Sequence, residues 1–514
     1  MKWKRVLKVP ENNGEFFCSH NLIEIPDLLK FNLELIDSYR FNIAEVSYSE
    51  FRKIAEVEIL NSLTDQNVDL FPRPYIVTGH QPGLCHPGVW IKNFLADKLA
   101  RENKGTAFDI IIDSDCQAEI GCYLLTRNEK IKRKKEVLVK LGIKQPFECC
   151  FVPDSDRFKD FYQKIRADIQ SFPDNPLIKY AENFFKKGEN ALSVSGNIAE
   201  FLVKTRKGYE IEGDLFYLDI MLSRICKTDS FLLFTLHVAE DIKRFYEIYN
   251  RQLENYRISH KLRYKANPFP DLKKDMDKFE IPFWCINDNI RKPIWITLEG
   301  SYISFYSEDT CLFRYKKGDF GHAIKIIDEE QINMRPKAVL LTLFIRLFFA
   351  NMFVHGLIGA KYDEIADGIM EKYFRVKPPQ YIAASLTLFP DFPVNRIQKN
   401  DIEKLKKIMR NIKFKPEIFE DRVEGQESKK KFKILVEQKH KLLRQKPDKK
   451  GKGEHYRKVK TVTENLSNFL NNYFLEIRDQ LRILEEKEQE NQIVCYREFP
   501  YFFFDVNRVK EMIK

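Results

Sequence analysis

Residues 75–95 read YIVTGHQPGLCHPGVWIKNFL, and the reading of this stretch decides the fold. A short apolar run (75–78) leads into a turn holding three glycines, two prolines and two histidines, and then into a helix. Ile91, Phe94, Leu95 and Leu99 recur there at helical spacing. Residues 108–112 read as a second continuous apolar strand, as expected where helices cover both faces of a parallel sheet. That strand ends in Asp113 and Asp115. Strand, helix and strand within about 40 residues predict a right-handed crossover, the opening unit of a Rossmann-like sheet.

Outward from this unit the chain divides by composition. Residues 1–170 are expected to hold the first half of the core and 171–330 an inserted α/β lobe. In that lobe residues 231–236 (FLLFTL) read as a buried strand followed by His237 and Glu240. Trp284 and Trp295 fall in strand-like runs on either side of a turn at 287–292, which predicts a meander beside the core. Residues 331–424 should complete the core. Arg335-Pro336 opens an apolar stretch, 339–360, read as one buried helix ending at the turn His355-Gly356-Leu357-Ile358-Gly359. Pro378-Pro379 then stops the next helix, and 382–388 reads as a further strand.

From 425 to 492 the composition turns Lys-rich and helical, interrupted by KPDKKGKG at 446–453. Val459, Val462, Leu466, Phe469, Tyr473, Ile477, Leu481 and Leu484 follow at gaps of three and four, a single apolar stripe. This predicts an antiparallel helical hairpin or coiled coil that packs on the body or on a second subunit. The aromatic tail within 493–514 should return to the core.

Hydrophobic residues make up 44% of the 514 and aromatics 13%, more than a disordered chain carries without collapsing. The net charge of +11 is local. Between Lys429 and Lys460 there are 14 Lys and Arg against Glu437, Asp448 and Glu454, which is 14 − 3 = +11, so the remainder is close to neutral. The ten cysteines show no CxxC pair and no zinc-finger spacing, which fits a reducing compartment. No secretory h-region follows Met1. The stretch 339–360 would place Arg346 near the centre of a membrane span at a cost of about 3 kcal/mol. The expectation is therefore a soluble cytoplasmic protein with no membrane partner.

Open α/β sheets bind ligands beyond the carboxyl ends of their strands, which directs attention to the 79–88 turn. Thr78, Gly79, Gln81, Gly83 and Gly88 can bring backbone close to a phosphate, and His80 or His86 can supply a donor as charge develops. The alternative for each His is a helix cap or turn filler. Lys92 can reach the same phosphate or stand solvated. Asp113 and Asp115, on the next strand end, can orient an amine or ribose or hold Mg²⁺, and they equally suit N-caps. Weaker candidates are His237, and the group His355, Gly356, Gly359, Lys361 and Asp363 around the second glycine turn. No metal quartet is expected. The spacing is neither GxGxxG nor a Walker loop. It approaches the HxGH of nucleotidyltransferase-like folds, with His86-Pro87-Gly88 in register and Val89 in place of the last His.

Three segments together resemble the bacillithiol synthase family, cysteine ligases that join cysteine to glucosaminyl malate. They are Val77-Thr78-Gly79-His80-Gln81-Pro82-Gly83-Leu84, then Ile112-Asp113-Ser114-Asp115, then the series Arg335-Pro336, Gly356 to Gly359, Pro378-Pro379 and Ser385-Leu386-Thr387-Leu388. The resemblance implies a nucleotidyltransferase-like core, inserted lobes and a coiled coil through which the protein forms a homodimer. His80 stands where that family has Gln, and Cys85-His86-Pro87 replaces its Phe-Thr-Gly run, so this chain can represent a sister group.

The leading expectation is a ligase that binds ATP or ADP at 79–88 and condenses an amino acid, cysteine by the resemblance, with a small carboxylate or sugar-acid acceptor. His86, His80, Asp113 and Asp115 are its expected catalytic groups. One alternative is a nucleotidyltransferase acting on another small molecule. A second, ranked lower, is a nucleic-acid-associated protein using the basic hairpin; a third is a non-catalytic scaffold dimer.

Overall fold

The computed structural model describes residues 7–63, 71–128, 130–172, 176–264, 267–392, 399–448 and 451–513. Its chain forms two compact units. One comprises Met1–Thr126, Lys134–Phe392 and Arg497–Lys514, and the other Arg127–Arg133 and Pro393–Tyr496.

The first unit is built on a six-stranded sheet. Across it lie Tyr217–Met221, Thr106–Ile111, Tyr75–His80, Met352–His355, Tyr381–Thr387 and Glu15–Cys18. The first five are mutually parallel, and only Glu15–Cys18 runs antiparallel, at the edge. Counted along the chain, the parallel strands lie in the order 3-2-1-4-5, that of a Rossmann-like sheet. The order reverses between Tyr75–His80 and Met352–His355, the position where such sheets open a crevice.

The crossover helix Pro87–Glu102 forms as its sequence predicts. Pro87 occupies the first turn, where no backbone donor is needed, and Trp90, Ile91, Phe94, Leu95 and Leu99 are buried against the sheet. Gly88 permits the close approach: a Cβ there would sit 2.6 Å from the carbonyl oxygen of Leu386 and would also strike Arg497.

Two expected elements come out differently. Residues 231–236 lie in the helix Asp229–Glu240, whose N-terminus is capped by Thr228, and not in a strand. A run buried on every side carries no periodicity that separates helix from strand, and the cap decides it. The strand of that region is Tyr217–Met221, so part of 171–330 joins the central sheet, and the whole segment belongs to the first unit. The single apolar helix expected over 339–360 is three elements. Helix Ala338–Phe348 stops, Met352–His355 becomes an inner strand, and helix Leu357–Ile369 follows. Asn351 makes the break: its N–H donates to the Tyr75 carbonyl at 2.9 Å, and its side-chain oxygen accepts from the Tyr75 N–H at 2.8 Å. Pairing with the neighbouring strand outweighs helical propensity there.

The meander expected around Trp284 and Trp295 is an antiparallel sheet. Strands Lys278–Asn287 and Ile290–Glu299 are joined by Asp288 and Asn289, both with positive φ, as a two-residue hairpin turn requires. Tyr302–Ser307 and Thr310–Lys316 extend this sheet on one side and Asn333–Pro336 on the other. The aromatic tail lies in the first unit: Tyr501 donates its N–H to the Cys85 carbonyl at 2.7 Å, and Phe502 stacks on Phe184.

The second unit is a helical bundle around Ile412, Val423, Phe432, Val462, Leu466 and Leu470. Helix Gln426–Arg444 packs along Lys452–Asn468, and Lys399–Phe414 along Asn471–Val494. The stripe that reads as one helix from Val459 is broken near Leu470, where Lys452–Asn468 gives way to Asn471–Val494. Among the described residues no helix is long and apolar enough to cross a membrane.

Candidate active site

Strand order reverses between Tyr75–His80 and Met352–His355, so their carboxyl ends frame the position where such sheets open a crevice. Gly356 begins the helix Leu357–Ile369 in extended conformation, and no side chain caps that helix, so its first amides remain available. Lys92 comes from the other side. Its ammonium donates to the Gly79 carbonyl at 2.7 Å, and its alkyl chain would lie 3.9 Å from a Cβ placed on Gly356. Lys92 is buried, not solvated. Burial pulls its pKa down to about 8 and Asp109 holds it up, so the ammonium form prevails at neutral pH. A buried lysine, its ammonium at Gly79 and its alkyl chain passing Gly356, thus stands beside an uncapped helix start.

Behind Gly356 lies a buried polar cluster. His355 Nε2 is 2.9 Å from Asp363, which also accepts from Arg346 and from the Thr342 hydroxyl, each at 2.5 Å. Arg346 pairs further with Asp367 and with the Pro379 carbonyl. Burial pushes Asp363 upward, but His355 and Arg346 pull harder and leave it below the ordinary carboxylate range. The same burial lowers His355, against the opposing pull of Asp363. An ionised carboxylate therefore faces a neutral imidazole.

The 79–88 turn is partly exposed, and Gly83 borders open space. Its histidines are not phosphate cations. His86 Nδ1 accepts the Gly88 N–H at 3.1 Å and so caps its own helix; burial and Arg497 bring its pKa down to about 4. His80 lies against the Gln81 carbonyl, with burial and Lys92 lowering it to about 3. Both rings are neutral at physiological pH. The helix start expected to take the phosphate is thereby occupied, and the available one is at Gly356. Burial pushes the Cys85 thiol up to about 12, which leaves it unreactive.

The two acidic residues at the next strand end diverge. Asp113 is buried and accepts from the Ser223 N–H and hydroxyl; burial and Glu148 raise its pKa to about 6. Asp115 accepts from Gln81 Nε2 at 2.9 Å and pairs with Arg291, fastening the first loop to the second. Their separate partners argue against a shared Mg²⁺, and among the described residues no cluster of three or more His, Cys, Asp or Glu is arranged for a metal ion.

The remaining candidates take structural places. The Thr78 hydroxyl donates to the Val354 carbonyl at 2.9 Å and ties the two central strands together. His237 lies in the helix Asp229–Glu240 and accepts the Ala44 N–H at 3.1 Å, with no role at the crevice. Gly359 lies in the first turn of its helix beside His355, and Lys361 is exposed further along it. Asp109, absent from the sequence-based candidates, is fully buried and bonded to Asn93 and Arg206 under the crossover helix. A lone charge inside an apolar strand was the available signal. A cavity of about 400 Å³ lies elsewhere, along the C-terminal half of that helix between Asp97, Arg101 and Lys510.

No protein-family model and no curated protein matches this chain. Among solved structures it aligns with the tryptophanyl-tRNA synthetase of Plasmodium falciparum at 11% identity, over 96% of this chain and 94% of that one, with a TM-score of 0.23. It aligns with the tyrosyl-tRNA synthetase from Aeropyrum pernix at 9% identity, over 87% and 98%, with a TM-score of 0.19. Likeness at these scores carries no argument about the site.

Proposed function

We propose that the crevice binds a nucleoside triphosphate and that the chain uses it to join an amino acid to a small carboxylate or sugar-acid acceptor, an amine of one partner attacking an activated carboxylate of the other. The observation that carries this reading is the uncapped start of Leu357–Ile369 with buried Lys92 beside it at the strand-order reversal. Backbone amides and an ammonium around one point are what a polyphosphate requires, and electrostatic preorganisation is most of what phosphoryl or nucleotidyl transfer needs. Any Mg²⁺ would arrive with the nucleotide.

The finer assignment, cysteine added to a sugar-acid acceptor by a cytoplasmic homodimer, rests on the sequence resemblance at 77–84, 112–115 and 335–388. Ten scattered cysteines without a CxxC pair accord with a reducing compartment. A rise in melting temperature with millimolar ATP or ADP tests the nucleotide site, since a ligand at 100 times its Kd stabilises by about 2.7 kcal/mol. No rise would reject the proposal.

A further inference from the structure

His355 and Asp363 form more than a packing contact. A carboxylate accepts only, so the 2.9 Å bond requires the proton on His355 Nε2 and leaves the lone pair on Nδ1. Arg346 and Thr342 hold the Asp363 carboxylate from its other sides. Nδ1 lies 3.2 Å from where a Cβ on Gly359 would stand, over the first turn of the uncapped helix. We infer that His355, positioned by Asp363, is the proton acceptor of the crevice, taking a proton from the amine as it attacks the activated carboxylate. This rests on the nucleotide-dependent ligation proposed above.

The step balances. The amine nitrogen bonds to the carbonyl carbon, the carbon–oxygen bond to phosphorus breaks, and its electron pair leaves on the phosphoryl oxygen. The amine proton passes to Nδ1 and from there to solvent, while Asp363 stays ionised. The groups facing His355 are Asp363 from the helix Leu357–Ile369 that follows it, Arg346 from Ala338–Phe348, Lys92 from Pro87–Glu102, and the Tyr381 ring at 5.0 Å. Burial, Arg346 and Lys92 disfavour the imidazolium and Asp363 favours it; the balance keeps the ring neutral, the form a base needs. His355 is the catalytic residue and Asp363 the positioning residue.

The test uses the full chain. Diethyl pyrocarbonate acylates an unprotonated, reachable imidazole nitrogen, so His355 should be carbethoxylated and protected about tenfold by millimolar ATP. In Asp363→Ala the acceptor that holds the proton on Nε2 is gone, Nδ1 is no longer kept unprotonated, and modification there should fall by a few fold. With ATP and a panel of amino acids, the same variant should lose about 100-fold in kcat with ethanolamine as acceptor, at unchanged KM. Hydroxylamine is neutral at neutral pH and its adduct is acidic enough to lose the proton to water, so its product should persist. His355→Gln, folded by its melting temperature, should show the same split. An inert His355 in a protein that ATP stabilises, or equal loss of both products, overturns this inference and leaves the nucleotide site standing. Absence of stabilisation by ATP overturns both.

Discussion

Lys92 reaches back from the second turn of its helix to donate to the carbonyl of Gly79, 2.7 Å away, at the end of the strand that precedes the helix. The cation is therefore positioned before any ligand arrives. Lys92→Met should fold, because it exchanges a buried ammonium for a buried thioether and leaves one carbonyl without its donor, a cost of about 1–3 kcal/mol. The expected outcome is loss of the ATP-induced rise in melting temperature; retention of the full rise would remove Lys92 from the site.

Gly356→Asp separates binding from folding. Gly356 has φ −76°, and a Cβ there meets only Lys92, at 3.9 Å, so the substitution is accommodated. An aspartate at this position caps the helix and adds a few tenths of a kcal/mol, while its charge repels phosphate. The free protein should melt at or above the wild-type temperature and gain nothing from ATP. Calorimetric titration of the two proteins checks this.

The His86 cap makes the fold acid-sensitive. Its folded pKa, about 4, lies below the unfolded value near 6.5, so as pH falls through that interval the unfolded state takes up the proton first and stability declines. The loss from this group should reach about 2 kcal/mol at pH 5. His86→Asn keeps an N-cap without the titration. Urea unfolding should find it close to wild type at pH 7.5 and more stable at pH 5; an equal pH dependence would count against the assignment.

Two glycines of the same turn should respond oppositely. Gly88→Ala drives a methyl group to 2.6 Å from the Leu386 carbonyl and should cost about 1–3 kcal/mol. Gly83→Ala enters open space and should change stability by less than about 0.5 kcal/mol. Chemical denaturation of both variants measures the difference.

The residues themselves announced the crossover at 75–112, because a strand, a glycine-rich turn and an apolar helix are local patterns written in consecutive side chains. They also announced the hairpin near Trp284 and the return of the aromatic tail. Met352–His355 could not be read this way, since its four residues continue an apolar helix and become a strand only through Tyr75, almost 280 positions away in the chain. His86 read as a phosphate ligand because sequence places an imidazole at a helix start without saying which way its ring turns.

By itself, then, the sequence determined an α/β protein with a glycine turn opening a parallel sheet and a basic helical segment in its last quarter. Only the tertiary structure decided that the helix start at Gly356 carries no side-chain cap, that Lys92 is buried beside it, and that Arg346, Asp363 and His355 meet. Helical and strand periodicity are properties of neighbouring residues. The direction of a lone pair or an unpaired amide depends on partners brought from distant parts of the chain.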